Sequence, residues 1–303
     1  MSHLVHFTSC PVCNSQSVKE VFSATDYTVS KEQFLIVECK DCTLRYTQNT
    51  PCETAMQKYY ESFDYISHSD SRKGIINKLY HFARKFTMVS KMNMVKEATG
   101  RPVGMLLDVG SGTGTFVHTM EEAGWSVIGF EPDANARAYA LKHYNCDIYA
   151  EDELFNLHES TYSAITMWHV LEHIHRLDEY LVQLKKLLVP DGKLIIALPN
   201  YTSKDAKIYQ AGWASYDVPR HLYHFSPASF KKLMEKHGLK IVDTKPLWLD
   251  SYYISMLSEK YKNGSLLKGV WNGLRSNLNA FRKIENCSSL VYIVGKADED
   301  LQN

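Results

Sequence analysis

The chain has 303 residues, 45% hydrophobic and 22% charged, with 34 Lys/Arg against 34 Asp/Glu and a formal net charge of zero. Such a length holds one full α/β domain plus a small appended module, and the composition is that of a folded globular chain. Neutral charge argues against a protein built around nucleic acid. No apolar run approaches the roughly 20 residues that cross a bilayer, and Met1–Cys10 lacks the basic and apolar stretches of a secretory leader; the expectation is a cytoplasmic protein with reduced thiols.

Residues 1–50 carry two C-x-x-C pairs, Cys10-Pro11-Val12-Cys13 and Cys39-Lys40-Asp41-Cys42, flanked by strand-like runs at Phe34–Val37 and Leu44–Tyr46. Four thiolates so paired coordinate Zn²⁺, or iron in its place, tetrahedrally and leave no open position, so the metal is structural. It would hold a segment too short to bury a core by itself. The pairs resemble a zinc ribbon, in which glycine usually follows each second cysteine. Here Asn14 and Thr43 stand there; Asn tolerates positive φ and Thr does so poorly. The sequence argues against a thioredoxin-like redox role, because neither pair sits between a strand and a helix of a βαβ unit. Cys52, Cys146 and Cys287 are plain thiols.

Residues 51–103 form a connecting segment. It opens with the aromatic run Tyr59-Tyr60-Glu61-Ser62-Phe63-Asp64-Tyr65, a candidate closure for a site. Ile75, Ile76, Leu79, Phe82, Phe86 and Val89 then recur at helical spacing until Gly100 and Pro102 stop the helix.

From Gly104 short apolar strands alternate with amphipathic helices, the pattern of a doubly wound parallel sheet. Strands are predicted at Met105–Val109, Ser126–Phe130, Asp147–Ala150, Ala164–Trp168, Lys193–Leu198, Lys240–Thr244 and Leu290–Gly295. The clearest helix is Pro227–His237, with Ser226 as N-cap, Pro227 at the first position and Gly238 just past the end. The fold class is thus α/β, a Rossmann-like, mostly parallel seven-stranded sheet with helices on both faces, over residues 104–296. Residues 297–303 are a tail.

The sharpest signal is Leu106-Leu107-Asp108-Val109-Gly110-Ser111-Gly112-Thr113-Gly114, a buried strand running into a glycine loop and a helix N-terminus. Glu131 ends the next strand, where a carboxylate can accept hydrogen bonds from both hydroxyls of a ribose. The D-x-G-x-G-x-G form with a following acid, rather than G-x-G-x-x-G, resembles motif I of the class I S-adenosylmethionine-dependent methyltransferases. Ala164–Ile174 and Pro190–Asn200 are similar to the fourth strand and to the fifth strand with its preceding turn in the ubiquinone-biosynthesis-like branch, Asp191 replacing a glycine. The resemblance implies that Gly110, Gly112 and Gly114 approach the methionine part of S-adenosylmethionine, Asp108 steadies the loop and Glu131 holds the ribose. It also implies Asp152, with Glu151 as competitor, at the adenine amino group, and Met167 and Trp168 near the transfer centre.

Methyl transfer from a sulfonium needs in-line approach and desolvation, plus a base where the acceptor must lose a proton. Histidine suits that task near neutral pH. His221, in Pro219-Arg220-His221-Leu222-Tyr223-His224-Phe225, is the first candidate and His169 the second; Arg220 either binds an anion or anchors its loop. A metal site of His169, Glu172 and His173 is disfavoured, because on a regular helix Glu172 faces away from both. The Asn/Asp-Pro-Pro-Tyr/Phe motif of DNA amino methylation is absent after the fourth strand, where Met167-Trp168-His169-Val170 stands.

Residues 247–289, with Trp248, Tyr252, Tyr253, Met256, Tyr261 and Trp271, form an insertion expected to be a helical lid. The reading is a methyltransferase with a zinc-ribbon head acting on a small-molecule or carrier-linked acceptor. Pro219–Lys296 holds thirteen Lys/Arg against five Asp/Glu, which keeps an RNA methyltransferase as a rival whose binding would be salt-sensitive. A non-catalytic scaffold that binds S-adenosylmethionine is the second rival.

Overall fold

The computed structural model describes residues 4–60 and 75–297, with backbone alone at 75–86. Short strands open the chain: β1 Leu4–Val5, β2 Val18–Thr25, β3 Gln33–Cys39, β4 Arg45–Thr47 and β5 Thr50–Pro51, then helix α1 Glu53–Met56. Helix α2, Ile75–Thr99, ends where Gly100 turns at φ +65°. The predicted run Glu61–Tyr65 and the side chains of Ile75, Ile76, Leu79, Phe82 and Phe86 lie outside the described residues.

The alternation that follows is β6 Met105–Val109, α3 Thr115–Glu122, β7 Ser126–Phe130, α4 Ala134–Tyr144, β8 Ile148–Tyr149, β9 Tyr162–Trp168, α5 Leu177–Leu187 and β10 Leu188–Pro199. Then come α6 Lys204–Tyr209, β11 Tyr223–His224, α7 Pro227–Lys236, β12 Leu239–Pro246, α8 Asp250–Tyr261, α9 Leu266–Arg282 and β13 Ser289–Lys296. Each of the seven strands predicted from Gly104 onward has its counterpart. The α7 start is a full capping box: Ser226 Oγ accepts from the Ser229 N–H at 3.0 Å, and Ser229 Oγ accepts from the Ser226 N–H at 2.9 Å. These bonds satisfy N–H groups that have no partner inside the helix.

The seven-stranded sheet has the order β12-β13-β10-β9-β6-β7-β8 and is mostly parallel, with β6 in parallel register to both β7 and β9. Strand order reverses between β6 and β9, the switch point at whose carboxyl ends open α/β sheets bind ligands. β6, β9 and β10 are apolar on both faces, as strands covered on both sides must be: Leu106, Leu107, Ala164, Ile165 and Ile195 are fully buried.

Two compact units divide the described residues. Of these residues the first draws on 4–60, 171–177 and 197–292, and the second on 75–170, 178–196 and 293–297. Within the first, an antiparallel sheet of order β11-β4-β3-β2 joins the cysteine-bearing strands to the histidine-rich 219–225 segment, Tyr223 opposite Tyr46 and His224 opposite Arg45.

Candidate functional site

In the second unit the chain leaves β6 through three left-handed glycines, Gly110 at φ +74°, Gly112 at +53° and Gly114 at +77°. A Cβ at Gly110 would collide with Val170, and one at Gly114 would stand 2.7 Å from Ala140 Cβ; at Gly112 it would meet nothing within 4 Å among the described residues. The first and third are therefore glycine for packing, while Gly112 faces open space. Gly110 and Ser111 N–H both donate to the Phe130 carbonyl, at 2.8 and 2.9 Å, which ties the loop to the end of β7.

Asp108 steadies this turn from below. Its carboxylate accepts from Thr166 Oγ1 at 2.6 Å, and its carbonyl accepts from Ser111 Oγ at 2.9 Å. Burial pushes its pKa up to about 6, the Thr166 hydrogen bond and the Lys91 charge opposing. Glu131 lies above the loop: Oε2 accepts from the Gly112 N–H at 2.8 Å and Oε1 from the Asp133 N–H at 3.0 Å. Burial raises its pKa as well, against those two N–H bonds. A carboxylate oriented in this way keeps lone pairs for a diol.

At the end of β9, Met167 is buried, and Trp168 packs edge-on to Phe116 with centroids 5.4 Å apart and the Lys91 ammonium 4.4 Å from its ring. The indole Nε1 is buried with no hydrogen-bond partner among the described residues, a donor that a bound ligand can satisfy. His169 follows at φ +59°, a backbone state costly for a non-glycine and concentrated at functional sites. Asp152 is exposed on the turn Glu151–Asn156. An oriented diol acceptor, an open glycine turn and an orphaned indole donor all fit a nucleoside sulfonium cofactor.

The first unit gathers the other candidates. His173 and His221 meet edge-to-face with centroids 4.5 Å apart. His221 Nδ1 lies 2.9 Å from the Ser215 carbonyl oxygen, which can only accept, so Nδ1 carries the hydrogen and Nε2 the lone pair of the neutral ring. That Nε2 is 4.0 Å from buried Glu172 Oε1. Burial, with His221 adding, pushes His173 down to about 4, and burial sends His224 well below the usual imidazole value. The segment Leu171–His173 is a 3₁₀ turn, and the ligand atoms of Glu172 and His173 lie with that of His221, not His169, within 4.8 Å of one another. One carboxylate and two imidazoles make a donor set that suits a divalent cation.

Arg220 is a loop anchor, the second of its two expected roles. It is 1% exposed and donates to Asp217 at 2.6 and 3.0 Å, to the Tyr59 carbonyl at 2.8 Å, to Asp26 at 3.1 Å and to Thr28 Oγ1. Burial would raise Asp26, but the Ser30 N–H and the Arg220 charge outweigh it and hold the carboxylate well below its usual range. Asp26 and Asp217 escaped the sequence reading. The one local clue was the Asx turn of Asp26-Tyr27-Thr28-Val29-Ser30, in which Asp26 accepts from three backbone N–H groups.

The four cysteines do converge, their sulfurs lying within 4.8 Å of one another, with Cys10–Cys42 and Cys13–Cys39 at 3.5 Å. Tetrahedral Zn–S bonds of about 2.3 Å require S···S distances of roughly 3.8 Å, so the cluster fits the metal. Asn14 and Thr43 both adopt positive φ, +60° and +63°. Thr43 is held there by Ser226 Oγ, 2.7 Å from its hydroxyl, and by Tyr201, whose hydroxyl donates to its carbonyl.

Residues 83–244 match the family model described as "Methyltransferase domain". Ubiquinone biosynthesis O-methyltransferase of Rickettsia bellii is 24% identical over 206 residues, 62% of this chain and 83% of that protein. The mitochondrial protein of that name from Rattus norvegicus is 24% identical over 212 residues, 62% of this chain and 61% of its own. Magnesium protoporphyrin IX methyltransferase of Synechocystis, solved with bound SAH, shares the fold with TM-score 0.52 and 16% identity over 80% of this chain and 99% of that one.

Proposed function

The chain belongs to the methyltransferase family matched over residues 83–244 and is S-adenosylmethionine-dependent; we propose that it acts on a small molecule, methylating an acceptor that carries an ionisable proton, a hydroxyl first of all, on a free or carrier-linked metabolite. The single observation that supports the cofactor assignment best is the Glu131 carboxylate fixed by the Gly112 N–H at the rim of the open glycine turn. In this reading Glu131 holds the ribose hydroxyls, Gly110, Gly112 and Gly114 carry the backbone past the methionine part, and Asp152 meets the adenine. Met167 and Trp168 border the transfer centre. Bound there, the cofactor supplies an electrophilic methyl group on a sulfonium.

His221 is the proposed base. Its Nδ1–H is committed to Ser215, its Nε2 lone pair is available, and Glu172 stands ready to stabilise the imidazolium that forms. His169 is the alternative base. The hydroxyl preference rests on the relatives, which are ubiquinone biosynthesis O-methyltransferases. Zinc in the four-cysteine cluster is proposed as a structural ion, and the α8–α9 hairpin as the wall of the acceptor pocket.

His221→Ala should abolish turnover while S-adenosylmethionine affinity, read by calorimetry, stays within about twofold. Full turnover would move the base elsewhere. The Glu172–His173–His221 trio supports a second reading, metal-assisted deprotonation, which predicts that turnover depends on added Mg²⁺ or Mn²⁺ while the cysteine cluster keeps its zinc; the histidine-base reading predicts no such dependence. Labelled cofactor in a fractionated extract tests the acceptor class: label among small molecules supports the proposal, and label in RNA overturns it.

A further inference from the structure

Helix α9 is built inside out. Its sequence, LLKGVWNGLRSNLNAFR, turns the small and polar residues Gly269, Asn272, Gly273, Ser276, Asn277 and Ala280 toward the protein. That orientation is fixed by geometry. A Cβ at Gly269 would stand 2.7 Å from Met256 Cα and one at Gly273 2.8 Å from Tyr252 Cα, so the backbones of α8 and α9 touch along a glycine seam. Hydrogen bonds lock the register: Asn272 Nδ2 donates to Tyr209 Oη at 2.9 Å, Ser276 Oγ to buried Asp205 at 2.6 Å, and Asn277 Nδ2 to the Trp248 carbonyl at 2.8 Å. Rotating the helix to bury its large residues would break all three and drive side chains into the seam.

The opposite face is therefore apolar and mostly exposed. Leu267, Trp271, Leu274, Leu278 and Phe281 recur every three or four residues, the stripe that normally faces a core; Leu274 is half-buried and Phe281 stacks one side of its ring on Trp248, centroids 4.6 Å apart. Leu267 is 82% exposed, Phe281 72% and Trp271 59%. Contiguous exposed apolar surface of this kind marks an interaction site. Lys268, Arg275 and Arg282 run along one border of the stripe, and the helix contains no Asp or Glu. Lys268 pairs with Glu259 at 3.5 Å, whereas Arg275 and Arg282 are exposed with no ion-pair partner among the described residues.

We propose that the outer face of α9 docks on an anionic lipid surface, its Leu, Trp and Phe side chains entering the headgroup boundary and Arg275 and Arg282 meeting lipid phosphates. An apolar stripe with aromatic residues, bordered by cations, is what an in-plane helix needs for that interface. A second copy of the chain is the weaker occupant. Two-fold pairing presents the same patch from both sides, and a helix without carboxylates brings no counter-charge to the basic border. The proposal is independent of the methyl-transfer reading.

Flotation of the whole protein with vesicles tests it, using phosphatidylcholine alone against phosphatidylcholine with about one-third phosphatidylglycerol. The expected result is binding to the anionic vesicles that weakens about tenfold or more in the Arg275→Glu/Arg282→Glu variant and with added salt. Leu267→Glu/Phe281→Glu should abolish it; both positions are exposed, and an unchanged thermal midpoint shows that the variant folds. Failure of the wild-type protein to float with anionic vesicles would overturn the proposal. So would a wild-type dimer that Leu267→Glu/Phe281→Glu turns into a monomer, because the face would then belong to a second copy.

Discussion

Two carboxylates flank the glycine turn, and their surroundings set different tasks. Glu131 is aimed by the N–H groups of Gly112 and Asp133 at 2.8 and 3.0 Å, so its orientation precedes any ligand. Glu131→Ala should weaken S-adenosylmethionine binding by about 1–3 kcal/mol, the range for a lost charged hydrogen bond, and unchanged affinity in calorimetry would remove it from the site. Asp108 is a support. Burial raises it from the usual value near 4 to about 6, so between those values the folded protein holds this proton more tightly than the unfolded chain. Its stabilising contribution is complete below about pH 4 and is lost as pH rises through 6, roughly 2–3 kcal/mol in all. Asp108→Asn keeps an acceptor for Thr166 and never ionises. Its stability at pH 8 should exceed that of the wild type, and the two should converge near pH 4; parallel denaturation curves across that window would show that Asp108 ionises at no cost.

At the scale of elements, local pattern was enough wherever one strand or helix decided its own fate. The buried runs of β6 and β9, the Ser226 cap and the cysteine spacing were all legible for that reason. Long-range pairing was not. Nothing near Tyr223–His224 announces that it adds a strand to β4, and so the common unit of histidine loop and cysteine strands escaped the sequence reading. The grouping of Glu172 and His173 with His221 escaped for the same reason, His221 standing far along the chain from the other two. Thr43 shows how tertiary contacts override a local preference. The knuckle demands positive φ from a β-branched residue, and the cost is met by the Ser226 and Tyr201 hydroxyls. Thr43→Val, which keeps the shape and removes the hydroxyl, should destabilise the protein by about 1–2 kcal/mol. Thr43→Gly, which gives up that bond but relieves the strain, should stay within about 1 kcal/mol of wild type. Equal losses in the two variants, measured by denaturant unfolding, would mean that the hydroxyl contact contributes nothing.

The whole molecule combines two units whose buried ionisable groups respond to acid in opposite directions. In the second unit, Asp108 adds stability as pH falls from about 6 to 4. In the first, His173 has its pKa lowered to about 4 and His224 is held well below the usual imidazole value. An imidazole with a depressed folded pKa binds its proton more readily in the unfolded chain. The stability it confers is therefore present above about pH 6.5 and is lost as pH falls toward 4. Metal in the cysteine cluster would act in the same sense, because acid protonates the thiolates that hold it. A single melting midpoint would average these effects and hide both. Hydrogen exchange resolved by peptide and corrected for intrinsic rate should instead show protection falling between pH 7 and 4.5 in β3, β4 and the 219–225 loop. Protection in β6 and β9 should hold or rise. Loss that is uniform across both sets of peptides would mean that the two units open together, with the global charge balance outweighing these buried groups.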